Sequence, residues 1–115
     1  MKMIRKNETN RFENAEHCVA FEYPLQHPDM NLAVVEITGR YPDAGYVANE
    51  ACTEIAYVLS GTGTVTFQGG ESVTVAQGDA VLLEKGERYY WDGACSLCVP
   101  CTPAWYPEQH RVYGG

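Results

Sequence analysis

Apolar and polar side chains alternate with a period of two through several stretches of the chain. Val65 and Phe67 alternate with threonine and glutamine, and Val73 and Val75 alternate with serine and threonine. This period places one side of a strand in the core and the other side in solvent. Glycines separate such stretches, which are rich in the β-forming residues Val, Tyr, Thr, Ile and Phe. The pattern predicts short β-strands joined by tight turns.

Eight strands are predicted, at residues 18–23, 32–39, 53–59, 64–68, 71–76, 80–83, 88–91 and 96–99. The paired glycines between Phe67 and Glu71 predict a hairpin, because a tight primed turn needs positive φ. Only two segments look helical: the polar stretch after Thr9, and residues 107–110, where proline is followed by glutamate. Evenly spaced short strands with turns between them predict a sandwich or a barrel.

The strand predicted at residues 53–59 is apolar on both faces. One face carries Glu54 with two small apolar residues, and the opposite face carries Ile55, Tyr57 and Leu59. A barrel strand with one inward face should be polar on its other face unless something covers it. We therefore expect a second sheet or a second subunit over this surface, and a homodimer is the predicted assembly.

Length and charge narrow the classes of function. A chain of 115 residues fits one domain, predicted to span residues 1–115. The net charge of −7 disfavours contact with nucleic acid or anionic membranes. No apolar run reaches the roughly 18 residues of a membrane helix, and the first ten residues lead into no apolar stretch. A cytoplasmic protein with a small-molecule ligand is expected.

The five cysteines predict reduced thiols, since their number is odd and no secretion signal precedes them. Cys95, Cys98 and Cys101 have the spacing of a Cys-x-x-Cys repeat, which raises a zinc or iron–sulfur site as an alternative. On an unbroken strand Cys95 and Cys98 face opposite sides and cannot share an ion. Pro100 keeps the alternative open, because a proline can end the strand there.

Two segments resemble the motifs of the cupin superfamily. In the first, at about residues 45–63, Glu54 precedes Gly61 with six residues between them. In the second, at about residues 78–93, Gly78 is followed at the family's spacing by Gly86 and Tyr89. The chain is identified as a member of this superfamily. The resemblance implies an all-β fold, an antiparallel jelly-roll barrel around one pocket, with a C-terminal tail at about 101–115 folding back over it.

The family's metal-binding histidines are missing from these motifs. The positions of its histidine pair are held by Ala48 and Glu50 on one spacing, or by Val47 and Asn49 on the other. Tyr89 replaces the last histidine, so only Glu54 remains of the four ligand positions. The resemblance therefore implies the fold but no metal, and no cofactor is predicted. An atypical metal site that draws on Glu54, His110 and a cysteine is the alternative.

The predicted chemistry is metal-independent proton transfer, of the isomerase, epimerase or lyase type. If the cupin register holds, Glu54 is the acid–base residue and Tyr89 its partner, because a carboxyl in an apolar pocket beside a phenol can exchange a proton. Metal-free sugar epimerases of the superfamily use such chemistry with different residues. The predicted substrate-binding residues are Asn49, Tyr57, Trp91, Trp105 and His110. A binding or sensing protein without catalysis is the alternative from another class.

Overall fold

The computed structural model describes residues 1–114, which form an almost entirely β structure. The strands are β1 (Asn10–Ala15), β2 (Cys18–Tyr23), β3 (Asn31–Ile37), β4 (Tyr46–Asn49), β5 (Thr53–Phe67), β6 (Ser72–Ala76), β7 (Ala80–Leu83), β8 (Tyr89–Thr102) and β9 (His110–Tyr113). One-turn 3-10 helices cover Lys6–Glu8 and Pro107–Gln109. The second of these confirms the short helical turn predicted near Pro107.

Two long antiparallel strands, β5 and β8, form the spine of the fold. They pair from Thr53 opposite Thr102 to Phe67 opposite Tyr89, with one irregularity between Val58 and Ser60. The first half of β5 also pairs with β7, and the second half pairs with β6. The last half of β8 pairs with β3, whereas its start meets β4. Both long strands therefore belong to two groups of strands, as expected of a jelly-roll barrel.

The core lies inside this barrel, where the inward side chains of the long strands meet. Val58 and Val65 on β5, Leu97 on β8, Leu83 on β7 and Val47 on β4 are fully buried. The period of two determines this arrangement, since every second residue of a strand faces inward. The predicted inward face of the strand that begins at Thr53 is confirmed. Its opposite face is exposed, as described below.

Each of the two long strands combines two of the predicted strands. The strands predicted at 53–59 and 64–68 form β5, and those predicted at 88–91 and 96–99 form β8. The glycines at 61 and 63 predict a break in β5, but the strand continues through both. Gly61 has φ +81°, and the point where a Cβ would stand collides with the carbonyl oxygen of Ala94. Glycine at this position thus lets β5 bend beside β8 without ending. Pro100 likewise does not end β8, which runs on to Thr102.

Three strands have no counterpart in the predicted set, and one of them was expected to be helical. The polar stretch after Thr9 forms β1, an edge strand that pairs with β2 through its backbone. Most of its side chains are exposed, so no core face imposes a period of two on the sequence. β4 and β9 have only four residues each and pair with each other. The predicted set contains neither of them.

An apolar surface covers the outside of β5 and β7. Its exposed members are Ile55, Tyr57, Leu59 and Leu82, each with between 41% and 57% of its surface accessible. This is the face for which the sequence predicts a covering partner, and the homodimer stays a prediction. Within residues 1–114, no helix has the length and apolar character required to cross a membrane.

The close approach at Gly61 generates a stability prediction. Gly61→Ala should destabilise the fold, because alanine adds both the cost of a positive φ and a collision with the Ala94 carbonyl. The φ cost alone is about 1–2 kcal/mol. The collision should add about 1–3 kcal/mol to the loss in free energy of unfolding. Urea denaturation followed by circular dichroism measures the total loss in free energy of unfolding.

Gly78→Ala is the matched control for this substitution. Gly78 has φ +92°, but nothing lies within 4 Å of the point that an alanine Cβ would occupy there. This variant should therefore show the φ cost without the collision. Equal losses of stability in the two variants would contradict the close approach of β5 and β8 at Gly61.

Candidate acid–base site in the barrel

A cavity of about 90 Å³ opens between the two groups of strands. A buried water needs about 10–15 Å³ on this measure, so the space suits a compact molecule of several heavy atoms. Its wall is mostly apolar, with Val35, Ile37, Leu83, Leu97 and Val99 among the lining residues. The ionisable lining residues of the described chain are Cys18, Glu22, Tyr41, Glu54, Tyr89, Cys101 and His110. Neither lysine nor arginine is among them.

Glu54 and Tyr89 meet inside this cavity, as the sequence predicts for the cupin register. The Tyr89 hydroxyl donates a hydrogen bond of 3.1 Å to Oε1 of Glu54. Burial raises the pKa of the Glu54 carboxyl, and the hydrogen bonds from Tyr89 and Asn49 lower it in part. Burial and the neighbouring Glu54 raise the pKa of Tyr89 well above its usual value. The site therefore favours a protonated carboxyl beside a neutral phenol.

The curvature of the barrel brings these two residues together. On the ladder of β5 and β8, Glu54 pairs with Cys101 and Phe67 pairs with Tyr89, thirteen positions further along β5. A straight strand of that length would separate the two pairs by roughly 40 Å. Their side chains nevertheless form a hydrogen bond. The bend in the long strands thus folds one end of the ladder over the other and closes the site.

The side-chain amide of Asn49 connects the rest of the site. Its Oδ1 accepts hydrogen bonds from Nε1 of Trp105 at 3.2 Å and Nε2 of Gln109 at 2.9 Å, and lies 2.8 Å from Nδ1 of His110. Asn49 itself is buried, with 2% of its surface accessible, and does not line the cavity. Asn49 therefore lacks the direct contact with substrate that the sequence predicts. It contacts Trp105 and His110 instead, and both of these line the cavity.

His110 lies between Asn49 and Tyr41, on the first residue of β9. Its Nε2 is 2.8 Å from the Tyr41 hydroxyl, and the two rings are parallel to within 4°. Burial lowers the pKa of His110 to about 4, so the imidazole is neutral at neutral pH. The structure thus places His110 at the cavity wall and not on the open surface, and supplies the partners that the sequence did not reveal.

Tyr41 is a site residue that the sequence pattern does not reveal. It lies outside the predicted strands and precedes a proline, and it forms an isolated bridge with Trp91 through two backbone hydrogen bonds of 2.8 Å. Burial raises the pKa of its hydroxyl, as do the nearby Cys18 and Glu54. Only the register of this bridge shows that Tyr41 faces the cavity, and no local sequence signal encodes it.

The remaining predicted binding residues differ in their positions. Trp91 and Trp105 line the cavity, Trp91 from β8 and Trp105 from the tail that folds back over the barrel. Tyr57 does not: its side chain is 44% exposed on the outer face of β5. The prediction of Tyr57 as a substrate-binding residue is wrong because it alternates with the inward-facing Ala56 and Val58 and so points away from Glu54.

The residues present do not fit the metal site implied by the cupin fold. Val47 and Ala48 are apolar and fully buried, and Glu50 is exposed. The Oδ1 atom of Asn49 is already surrounded by three nitrogen atoms, which leaves it no lone pair for a cation. Residues 1–114 contain no group of three or more His, Cys, Asp or Glu side chains arranged to hold a metal ion.

The cysteines are thiols in the structure, and none forms a disulfide. Cys95 is buried inside the barrel, and Cys98 is partly exposed on the opposite face of the unbroken β8. The two therefore cannot share an ion. Cys101 lines the cavity, and burial with the neighbouring Cys52 and Glu54 raises its pKa to about 12, so it is not a reactive thiolate.

Comparison with known proteins agrees with this architecture. The family model described as the EutQ-like cupin domain matches residues 39–97, which include Tyr41, Glu54 and Tyr89. The chain belongs to the EutQ-like cupin family. A search of curated proteins finds no match.

Several solved structures share this cupin's fold at low sequence identity. Pac13 of Streptomyces, described as a nucleoside dehydratase, is 18% identical, with a TM-score of 0.86 over 99% of this chain and 92% of its own. Ectoine synthase from P. lautus is 15% identical, with a TM-score of 0.76 over 98% and 90%. KdgF from Halomonas sp. is 17% identical, with a TM-score of 0.67 over 90% and 94%. At these identities the likeness shows the fold alone.

The lowered pKa of His110 predicts how the cupin's stability depends on pH. Between pH 6.5 and about 4 the unfolded chain binds a proton at His110 that the folded chain does not. The free energy of unfolding should therefore fall as the pH falls through this window, by about 3 kcal/mol from this group at most. Urea denaturation at pH 7.5 and 4.5 measures the loss, and His110→Gln should remove most of it.

Two features attribute the difference in pH dependence between wild type and His110→Gln to His110 itself. Glu54 acts with the opposite sign, since its raised pKa lets the folded chain keep a proton that the unfolded chain releases as the pH rises. Glu54 is present in both wild type and His110→Gln, so its contribution cancels when the two are compared. His27→Gln alters an exposed histidine and should retain the wild-type dependence. An identical loss of stability in wild type and His110→Gln would show that His110 is protonated in the folded chain.

Proposed function

We propose that this cupin binds a small, uncharged or cationic molecule in the barrel and moves a proton on it without a metal. One observation carries the proposal: the Glu54 carboxyl borders the cavity, is held by Tyr89 at 3.1 Å, and has a raised pKa because it is buried. A carboxyl whose pKa is raised toward neutral pH is better suited than an ordinary one to act there as a general acid. Cavities with such groups are characteristic of catalytic sites.

Glu54 is suited to donate its proton to an oxygen atom of the ligand. Once the proton leaves, the Tyr89 hydroxyl and the Asn49 amide stabilise the carboxylate, since both lower the pKa of Glu54. These donors are in place before the reaction and need no rearrangement, so they lower the cost of the charge as it develops. Tyr89 is therefore the partner that makes proton donation by Glu54 possible.

The charges around the cavity restrict the ligand. Glu22 and Glu54 both line it, whereas no lysine or arginine does so among the described residues. Burial raises the pKa of both carboxyls, which reflects how poorly the surroundings stabilise negative charge. A phosphate or carboxylate group would therefore enter without a charged partner and at a high cost of desolvation. Neutral hydroxy or carbonyl compounds, and amines, avoid that cost.

One structural neighbour supports chemistry of this class. Pac13 is described as a nucleoside dehydratase, and the loss of water from any alcohol is helped by a proton delivered to the departing hydroxyl group. Glu54 is suited to such a step.

A binding or sensing protein is the second candidate. The mostly apolar wall favours it, and in residues 1–114 no buried side-chain nitrogen or oxygen lacks a hydrogen-bond partner. Both are expected in a site that only holds a ligand.

Proton transfer by Glu54 predicts exchange of carbon-bound hydrogen in small ketones. The protein should speed the loss of the NMR signals of C–H groups beside the carbonyl of 3-hydroxybutanone, dihydroxyacetone or cyclopentanone in D2O. Glu54→Gln should lower that rate by about 100-fold, the usual contribution of a general acid. Proton NMR at several protein concentrations gives the rates.

Glu71→Gln is the matched control, since Glu71 is exposed in the hairpin and does not line the cavity. It should exchange the ketones at the wild-type rate. Equal rates for wild type and Glu54→Gln would refute the role of Glu54. A wild-type protein that binds the ketones but exchanges none of them supports the binding protein instead.

The charge of the cavity predicts selective binding among ligands of one shape. Cyclopentanol and cyclopentylamine should bind at least about tenfold more tightly than cyclopentanecarboxylate, because only the last carries a negative charge into the site. Both tryptophans of the chain, Trp91 and Trp105, line the cavity. Their fluorescence therefore reports occupancy of the site directly.

Glu22→Gln provides the charge control for this series. Removing this carboxyl should strengthen binding of the carboxylate and weaken binding of the amine, with little effect on the alcohol. Tight binding of cyclopentanecarboxylate to the wild type would contradict the proposed class of ligand.

A further inference from the structure

We infer that Tyr41 and His110 form a second proton-transfer couple in the cavity, which removes a carbon-bound proton from a small hydroxy ketone while Glu54 protonates its carbonyl oxygen. The inference rests on the proposed function and adds the missing base and the class of substrate. Tyr41 is the group that touches the substrate. His110 acts through Tyr41, and Asn49 positions His110.

The direction of every hydrogen bond in this couple follows from the backbone. The Oε1 atom of Gln109 accepts from the backbone nitrogens of Ala51 and Cys52, at 3.1 and 3.2 Å. Its Nε2 must then be the atom that donates to Asn49. Because the indole of Trp105 also only donates, the atom of Asn49 that faces both is its oxygen.

That orientation fixes the tautomer of His110. Its Nδ1 lies 2.8 Å from the Asn49 oxygen, which cannot donate, so Nδ1 carries the proton. The neutral ring then has its lone pair on Nε2, and the Tyr41 hydroxyl donates to it across 2.8 Å. Tyr41 is thereby left with oxygen lone pairs that accept a proton, beside a base that can take the one it already holds.

Tyr41 is rigidly held and reaches the cavity. Two backbone hydrogen bonds with Trp91 fix its main chain, and its ring lies parallel to that of His110. Both rings line the same cavity as Glu54. In residues 1–114, the Tyr41 hydroxyl has no hydrogen-bond partner other than His110. Its remaining lone pairs are therefore free to meet a ligand.

The step balances without any further reactant. The Tyr41 oxygen takes the proton from a carbon beside the carbonyl, and the hydroxyl proton of Tyr41 passes to Nε2 of His110. The electron pair of the broken C–H bond forms a C=C bond, and the carbonyl oxygen takes the proton of Glu54. An enediol results, with His110 as imidazolium and Glu54 as carboxylate. Transfer of the proton from His110 through Tyr41 to the other carbon, while the Glu54 carboxylate takes the proton of the other enediol hydroxyl, completes an isomerisation.

The Asn49 amide is oriented to stabilise both charges that this step creates. Its oxygen faces His110, which becomes positive, and its amide lowers the pKa of Glu54, which becomes negative. One fixed dipole therefore supports both ends of the developing ion pair, as electrostatic preorganisation requires.

Exchange of 3-hydroxybutanone in D2O tests the couple. Tyr41→Phe and His110→Gln should each lower the rate at least about 30-fold, because the base or its acceptor is lost. Tyr106→Phe and His27→Gln change exposed residues of the same types and should retain the wild-type rate. Circular dichroism and tryptophan fluorescence with cyclopentanol establish that each variant is folded and still binds.

The outcomes separate this inference from the proposed function. Loss of exchange in Glu54→Gln together with wild-type rates in Tyr41→Phe and His110→Gln overturns the couple and leaves the role of Glu54 intact. Retained exchange in Glu54→Gln with loss in the other two refutes the role of Glu54 and supports the couple. No exchange by the wild type refutes both.

Nitrogen-15 NMR of the wild-type imidazole tests the couple without any substrate. A neutral His110 protonated at Nδ1 is the expected result at pH 7, and Asn49→Leu should allow the Nε2-protonated form to appear. Finding His110 protonated at Nε2 in the wild type would overturn the inference, because Tyr41 would then accept a hydrogen bond and could pass no proton to the ring.

Discussion

The orientation of one buried amide governs the chemistry of this site. Asn49 is almost completely enclosed, and three nitrogen atoms from the C-terminal segment converge on its oxygen. A buried acceptor in that setting cannot be turned around without leaving several polar groups unpaired, each at a cost of about 1–3 kcal/mol. The tautomer of His110, the donor role of Tyr41 and part of the pKa of Glu54 all depend on it. Gln109, tied to the backbone beside Cys52, holds the amide in turn.

Burial shifts the pKa values of Glu54 and His110 in opposite directions. It raises the pKa of an acid and lowers the pKa of a base, because in both cases it disfavours the charged form. Glu54 therefore keeps its proton to a higher pH than an ordinary carboxyl does, whereas the pKa of His110 is lowered to about 4. No metal ion is needed to create this pair of complementary groups. The apolar wall thus favours the protonated form of Glu54 and the neutral form of His110.

Much of the fold could be predicted from the sequence, because a period of two and well-placed glycines act locally. The predicted strand at residues 18–23 and the predicted strand at residues 80–83 coincide with β2 and β7. Glu54 and Tyr89 could be placed together because the cupin motifs carry their spacing. Tyr41 could not, since its position depends on a two-residue bridge to Trp91 with no periodicity of its own. The roles of Asn49 and Gln109 depend on a contact between residues 60 positions apart in sequence, which no local pattern encodes.

The hydrogen bond between Tyr89 and Glu54 joins two residue pairs of β5 and β8 that lie thirteen positions apart along β5. It can form only while the long strands keep their bend, which the irregularity at Val58–Ser60 and the glycine at 61 make possible. The pKa of Glu54 therefore depends on the bend of the long strands as well as on the groups around it. A change that straightens the ladder far from the cavity would separate the phenol from the carboxyl and remove a hydrogen bond that lowers the pKa of Glu54. The residues that bend the long strands therefore also determine the surroundings of Glu54.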